Sequence, residues 1–314
     1  MNKELEQRAI KYLKLFEPKD EPYYLCYSGG KDSDVILALA KLAGVNFEAV
    51  HNLTTVDAPE TVNYVKSQKD VRINVPETTM WKLIVEKRMP PTRMVRYCCE
   101  ELKERGGRYR KKITGVRWAE SNRRKANSGL VQILGKEKTM RKLAEEAGVD
   151  YEDTVKGGMV LNNDNAKTRA FVDHCYRTTS VMVNPIVDWS DKDVWEFLYY
   201  YGIKSNPLYE VEDTGKTFCP RGNSRIGCIG CPMKGGAKMK AEFLKYPHYR
   251  DNYLRAFDRM MKARKAAGLE NIGVWYDARS VMMWWVGDDP RQLSLLGEPE
   301  YLKGACKYGQ GKIK

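Results

Sequence analysis

A chain of 314 residues, 42% hydrophobic and 30% charged, is long enough to bury a sizeable core and has the composition of a folded protein. No stretch approaches the ~18 uninterrupted apolar residues of a membrane span, and Met1-Asn2-Lys3-Glu4-Leu5-Glu6 lacks the apolar run of an export signal; a cytoplasmic protein with no membrane partner is expected. The net charge of +13 suits polyanions such as nucleotides or nucleic acid, and equally suits a merely soluble basic surface.

Apolar residues at Leu5, Ile10, Leu13 and Phe16 predict an amphipathic helix over 3–16. The run Tyr23-Tyr24-Leu25-Cys26-Tyr27 has strand length and leads straight into Ser28-Gly29-Gly30-Lys31-Asp32-Ser33. A helical pattern follows and stops at Gly44. Next come a strand over 46–51, a helix after Pro59, a strand near 71–75, a helix from about Thr79 and a strand over 111–116. This alternation predicts the α/β class, with a doubly wound parallel sheet.

From Lys125 to Thr179 charged and amide residues crowd together and the rhythm is lost, which predicts an insertion or lid. The core resumes at Val181-Met182-Val183-Asn184-Pro185, and the chain beyond Pro232 looks helical, with a tail of low periodicity after Gly287. The expected division is therefore 1–125 for the N-terminal half of the sheet domain and 126–180 for the insertion. Residues 181–235 would continue the core and 236–314 would form a helical region.

Strand, then Ser-Gly-Gly-Lys-Asp-Ser, then helix is an arrangement suited to phosphate. Gly29 and Gly30 let the backbone turn tightly and aim its N–H groups at an anion, and the helix N-terminus adds partial positive charge. Lys31 supplies an ammonium, Ser28 and Ser33 supply hydroxyls, and Asp32 suits a role through magnesium or in shaping the loop. Lys31→Ala is expected to lower turnover far more than stability, because a loop lysine packs little. The motif is not a Walker A loop and is similar to the PP-loop of ATP pyrophosphatases, which cleave ATP between its α and β phosphates.

Five of the eight cysteines fall in two short segments, a clustering that points to metal or cluster ligation rather than to disulfides. Cys98 and Cys99 are adjacent, and Cys219, Cys228 and Cys231 follow in a C-x8-C-x2-C pattern. Cys98, Cys219, Cys228 and Cys231 make the expected tetrahedral set, with Cys99 as the substitute for Cys219. Four thiolates suit a [4Fe–4S] cluster, with zinc as the alternative. Trp189, Trp195 and the stripe from Trp275 to Trp285 read as core packing; His51, His174 and His248 are scattered and carry no assigned chemistry.

These motifs together resemble the phosphoadenosine phosphosulfate reductase family. Thr114-Gly115-Val116-Arg117, with Glu120-Ser121 and Arg123, is similar to the family segment whose arginines bind the nucleotide's anionic groups. Asn184-Pro185, Asp188-Trp189-Ser190, Asp193-Val194-Trp195 and Asn206-Pro207-Leu208-Tyr209 resemble the stretch leading to the cluster loop, and Thr54 to Thr61 resembles the loop after the second strand. The resemblance spans roughly 20–235, less the insertion. It implies an adenine nucleotide alpha hydrolase-like fold that binds ATP or adenosine phosphosulfate. Lys31, Asp32, Arg117 and Arg123 would be its catalytic residues, the two arginines acting electrostatically, and Asp57 and Glu60 would lie in a loop that contacts the nucleotide.

Two chemistries occur within that resemblance. The intact Ser-Gly-Gly-Lys-Asp-Ser, and the Arg96-x-Cys98-x-x-x-Leu102-Lys103 pattern, look like the sulfur-transfer ATPases of DNA phosphorothioation systems. This favours adenylation coupled to sulfur transfer, with a nucleic-acid acceptor and a sulfur donor as partners. Tandem Cys98-Cys99 is the form found in adenosine phosphosulfate reductases, which would use a thioredoxin-like reductant and release sulfite. The reductases' Glu-Cys-Gly-Leu-His tail is not matched, since Cys306 stands in Gly304-Ala305-Cys306-Lys307. A non-catalytic nucleotide- or nucleic-acid-binding module is a third reading.

Overall fold

The computed structural model describes residues 1–104, 106–135, 137–154, 158–176, 179–269, 272–292 and 297–305, so Cys306 lies outside the described residues. In chain order the strands are β1 Tyr23–Cys26, β2 Phe47–Asn52, β3 Val71–Asn74, β4 Lys111–Ile113 and β5 Val131–Leu134. β6 Glu152–Asp153, β7 Met159–Leu161, β8 Ser180–Val183, β9 Val211–Asp213 and β10 Phe218–Pro220 follow. The helices are α1 Lys3–Leu15, α2 Lys31–Ala43, α3 Pro59–Ser67, α4 Met80–Lys87, α5 Tyr97–Cys99 and α6 Asn122–Lys125. After them come α7 Glu137–Ala147, α8 Ala166–Cys175, α9 Asp191–Tyr200, α10 Gly236–Lys245, α11 Pro247–Ala266 and α12 Ala278–Val286. None of the described helices is long and apolar enough to cross a membrane.

The chain forms two compact units: Met1–Asn52, Pro59–Asn74 and Gly106–Ile226 in the first, and Leu53–Ala58, Val75–Arg105 and Gly227–Lys314 in the second. This division cuts across the expected boundaries near 125, 180 and 235. Residues 53–58 and 75–105 fold with the C-terminal helices, an association over more than a hundred residues that no local pattern encodes.

The first unit holds an eight-stranded sheet in the order β3-β2-β1-β4-β8-β5-β7-β6. From β3 to β8 every neighbouring pair is parallel, as the strand–helix alternation predicts. β5, β7 and β6 then pair antiparallel beyond β8. The segment expected as an insertion or lid thus contributes β5 to β7 and helices α7 and α8, and widens the sheet. Its strands run two to four residues, too short to display a period of two against a charged background. The core is aliphatic and aromatic: Leu25, Val35, Leu39, Ile113, Val131, Val183, Trp189 and Phe197 are all buried.

Helix ends follow local chemistry. α2 stops at Gly44, whose φ of 67° admits the left-handed turn that closes it. α9 begins with Ser190, which caps the Asp193 N–H while Asp193 returns to the Ser190 backbone. Strand order reverses around β1 and β4, and the loop 28–33 leaves the carboxyl end of β1 at that switch point, where open α/β sheets place ligands.

In the second unit α11 packs against α4 and α12. Trp81 meets Tyr253 edge-on with ring centroids 4.8 Å apart, and Tyr253 lies 4.7 Å from Trp285, which also meets Phe257. Trp275, Trp285, Trp189 and Trp195 are buried, as core packing requires.

Candidate functional site

The phosphate-type loop is a tightly wired turn. Gly29 sits at φ 75°, and a Cβ there would come within 2.8 Å of Val65. The Gly30 N–H donates to Ser33 Oγ at 3.0 Å, and Ser33 Oγ donates back to the Gly30 carbonyl at 2.7 Å. Ser28 is exposed at the rim, with its hydroxyl 3.3 Å from Ser33 Oγ. Across the mouth, a Cβ on Gly115 would stand 3.0 Å from the Asp32 backbone, so a glycine after β4 is what allows this close approach.

Lys31 opens α2 and is only 3% exposed, contrary to the expectation that a loop lysine packs little. Its Nζ lies 3.2 Å from Asp32 Oδ2 and 3.4 Å from Asp191 Oδ1. Arg117, 1% exposed, places Nε 2.7 Å from Asp32 Oδ1 and Nη2 2.6 Å from Asp191 Oδ1, while Nη1 donates to the Trp189 carbonyl at 3.0 Å. Burial works against the Arg117 charge, but Asp32 and Asp191 outweigh it and hold the guanidinium firmly protonated. Two cations and two carboxylates therefore neutralise one another at the loop.

Beside this quartet, Glu120 receives the Arg117 N–H at 3.2 Å, Arg124 Nε at 2.9 Å and Arg225 Nη2 at 2.8 Å. Burial, partly offset by Glu120, pulls the Arg124 pKa down. One carboxylate thus serves two guanidinium groups, leaving positive charge in excess. Arg123, the expected second arginine, is exposed on α6 and makes no ion pair among the described residues. The structure therefore gathers Ser28, Gly29, Gly30, Lys31, Asp32, Ser33 and Arg117, and adds Asp191, Glu120, Arg124 and Arg225. Asp191 had a readable signal, an acid just after the Ser190 helix cap.

Residues 205–209 clamp the loop from behind. Asn206, fully buried, donates to the Gly29 carbonyl at 3.0 Å and to Thr61 Oγ1 at 3.1 Å. The Lys31 N–H donates to the Tyr209 hydroxyl oxygen at 3.1 Å. Ser205 Oγ donates to Asp34 Oδ2 at 2.6 Å, and the Tyr27 hydroxyl donates to Asp34 Oδ1. Burial pushes the Asp34 carboxyl up to about 7 despite these donors.

The second unit holds Cys98, Cys99, Cys228 and Cys231. The Cys98 and Cys99 thiols are hydrogen-bonded to each other, and Cys98 also feels Cys228 and Cys231. Their mutual hydrogen bond, joined by burial, raises the Cys98 thiol, and the same bond lowers that of Cys99 against its burial. Cys228, with Asp57 and Cys99, raises the Lys103 pKa against its burial. Burial raises the Cys231 thiol.

Backbone bonds fix this neighbourhood: the Ile229 N–H donates to the Val56 carbonyl at 2.8 Å, the Tyr253 hydroxyl to the Ile229 carbonyl at 2.9 Å, and the Gly230 N–H to Glu242 at 2.9 Å. Thr54 Oγ1 lies 3.4 Å from Cys228 Sγ, and Asp57 accepts the Thr54 N–H at 2.6 Å. Glu60 begins the first turn of α3 in the first unit. Cys219 stands on β10 of the first unit. Among the described residues no three Cys, His, Asp or Glu side chains close into a ready metal-binding set.

The model of the phosphoadenosine phosphosulfate reductase domain matches residues 22–234. An uncharacterized protein of Methanocaldococcus jannaschii is 26% identical over 278 residues, covering 85% of this chain and 54% of its own. This chain thus spans about half the length of that relative. An adenosine 5′-phosphosulfate reductase of Bacillus mycoides is 28% identical over 223 residues, covering 70% of this chain and 76% of its own. Among solved structures, an FMN adenylyltransferase of Candida glabrata aligns over 72% of this chain and 61% of its own with a TM-score of 0.38 and 12% identity. With that family model spanning about two thirds of its length, the chain belongs to the phosphoadenosine phosphosulfate reductase domain family.

Proposed function

We propose that the chain is an ATP pyrophosphatase-type enzyme that adenylates an oxygen of an acceptor and couples this to sulfur transfer. The observation that carries the reading is the complete Ser-Gly-Gly-Lys-Asp-Ser turn, with Lys31 and three further charged side chains, Asp32, Arg117 and Asp191, arranged at its mouth. An acceptor oxygen would attack the α phosphorus and pyrophosphate would leave with the electron pair of the broken P–O bond. Lys31 and the positive end of α2 orient the phosphates and offset the charge that grows on the leaving group. Arg117 acts behind them by holding Asp32 and Asp191 in place. Arg124, Arg225 and exposed Arg123 supply the attraction that draws an anion in. Asp32 and Asp191 are the carboxylates that magnesium arriving with the nucleotide would meet. Both already neutralise Lys31 and Arg117, so no step is assigned to that ion.

Cys98, Cys228 and Cys231 are proposed as thiolates for an iron–sulfur cluster, with zinc as the alternative. The sequence pattern makes Cys219 the fourth, with Cys99 as its substitute; we prefer Cys99, because it shares one unit and mutual electrostatic influence with the other three. Such a cluster supplies sulfur or electrons when bound. The protein's part is to gather the thiols in one unit, with Lys103 as counter-charge.

The second reading is reduction of adenosine phosphosulfate to sulfite, favoured by the tandem Cys98-Cys99 and by the name of the Bacillus mycoides relative. The two readings separate in one experiment. Anaerobically purified protein is incubated with ATP, magnesium and candidate acceptors, and in parallel with adenosine phosphosulfate and a thiol reductant. Pyrophosphate and sulfite are measured together, and iron and zinc are assayed in the Cys99→Ser and Cys219→Ser variants. Pyrophosphate release is the expected result; sulfite alone would overturn the adenylating reading. Metal lost from Cys219→Ser but kept by Cys99→Ser would overturn the proposed ligand set.

A further inference from the structure

Tyr209 is the one member of the loop clamp whose chemistry is unspent. It ends the turn Pro207–Tyr209, is 2% exposed, and its ring is fixed edge-on to Trp195 at 5.2 Å. Lys31 Nζ stands 5.9 Å from the ring centroid. The hydroxyl oxygen reaches into the turn: a Cβ on Gly30 would lie 3.1 Å from it. That oxygen accepts the Lys31 N–H, the first donor of a 13-residue helix.

A phenol has one proton to give. Among the described residues the Tyr209 proton has no acceptor, although the side chain is almost wholly buried. Burial also pushes the Tyr209 pKa well above the usual phenol range, so the proton stays in place. A buried donor left open costs stability unless something completes it. Around the tyrosine stand the N-terminus of α2 and the charges of Lys31 and Arg225, with the carboxylates of Asp32 and Asp34 acting in the opposite sense. Asp32 is already paired with Lys31 and Arg117, and Asp34 with Tyr27 and Ser205, so the helix N-terminus and Arg225 are left to favour an anionic oxygen.

We infer that the Tyr209 hydroxyl is a phosphate ligand, accepting from the Lys31 N–H and donating its proton to a phosphoryl oxygen of the nucleotide. This rests on the nucleotide reading of the same loop. Tyr209 then works as a relay: ordering the loop backbone with its lone pair, and reading the ligand with its proton. Selectivity follows for phosphate esters and anhydrides over the bare nucleoside.

The test uses the full chain and its Tyr209→Phe variant, with binding of ATP, inorganic pyrophosphate and adenosine measured by calorimetry in magnesium buffer. A hydrogen bond to a charged oxygen is worth about 10- to 100-fold in affinity. The variant is expected to lose at least about tenfold toward ATP and pyrophosphate and to bind adenosine unchanged. Tyr209→4-aminophenylalanine keeps a donor in the same place and is expected to recover most of the loss; this variant also serves if Tyr209→Phe does not fold. Equal losses for ATP and adenosine, or no rescue by the amino variant, would mean a purely structural tyrosine. Undiminished ATP binding by Tyr209→Phe would overturn the assignment while leaving the nucleotide reading intact. Wild-type protein that binds neither ATP nor pyrophosphate would overturn both.

Discussion

Asp34 is buried beneath the loop, facing Tyr27, Tyr64, Ser205 and, at longer range, Asp32. Its carboxyl titrates near 7 in the folded protein and near 4 in an unfolded chain. Between those values the folded state holds one proton more, so this group's contribution to stability is present at low pH and is lost as pH rises from about 4 to about 7. The slope is at most about 1.4 kcal/mol per pH unit. Asp34→Asn should flatten that part of the profile, checked by urea midpoints at pH 5 and pH 7.5; parallel profiles for both proteins would refute it. Lys31 is a second buried charge with consequences for stability as well as binding. Removing it leaves Asp32 and Asp191 to share Arg117, and Lys31→Ala should cost about 1–3 kcal/mol in urea unfolding. Adding Asp191→Asn should return part of that loss, because it removes the negative charge left in excess over Arg117. The identity of the loop residues was legible in the sequence, since six consecutive side chains of known chemistry sit between a strand and a helix. The burial of Lys31 was not, because its neighbours Asp191 and Arg117 are remote along the chain.

At the scale of elements, short glycine turns decide where sulfur and nitrogen atoms can stand. Gly230 sits between Cys228 and Cys231 at φ 71°, and a Cβ there would meet Phe243, Tyr253 and Trp285 at 3.0 Å each. Gly230→Ala should therefore cost about 1–3 kcal/mol through backbone strain and overpacking together. Thermal unfolding reads the first effect, and a fall in bound metal would read displacement of the flanking cysteines. The parallel strands and the end of α2 were visible as alternation and as Gly44. The strands β5 to β7 were not visible, because runs of two to four residues were lost among crowded charged and amide residues. Residues 205–209 stood out only as a motif without a role. What gives them one is the approach of Asn206 to Gly29 and of Tyr209 to Lys31, contacts across more than 170 residues.

At the scale of the whole molecule, the chain passes between its two units five times, at 52/53, 58/59, 74/75, 105/106 and 226/227. A fragment of residues 1–226 would hold every strand of the sheet, yet leave Leu83, Ile84 and Trp81 without α11 and α12 to cover them. It should bind a hydrophobic dye and aggregate where the full chain does not; a monodisperse, dye-silent fragment would refute this.

The same interleaving sets an order of events during synthesis. The first unit has all its residues once the ribosome has added Ile226, whereas residues 53–58 and 75–105 must wait for Gly227 and the helices after it. At roughly 5–20 residues per second, that wait lasts several seconds. Cys98 and Cys99 spend it without Cys228 and Cys231, as free thiols in an unfinished unit. Any metal or cluster meant for all four can be delivered only after most of the chain has emerged.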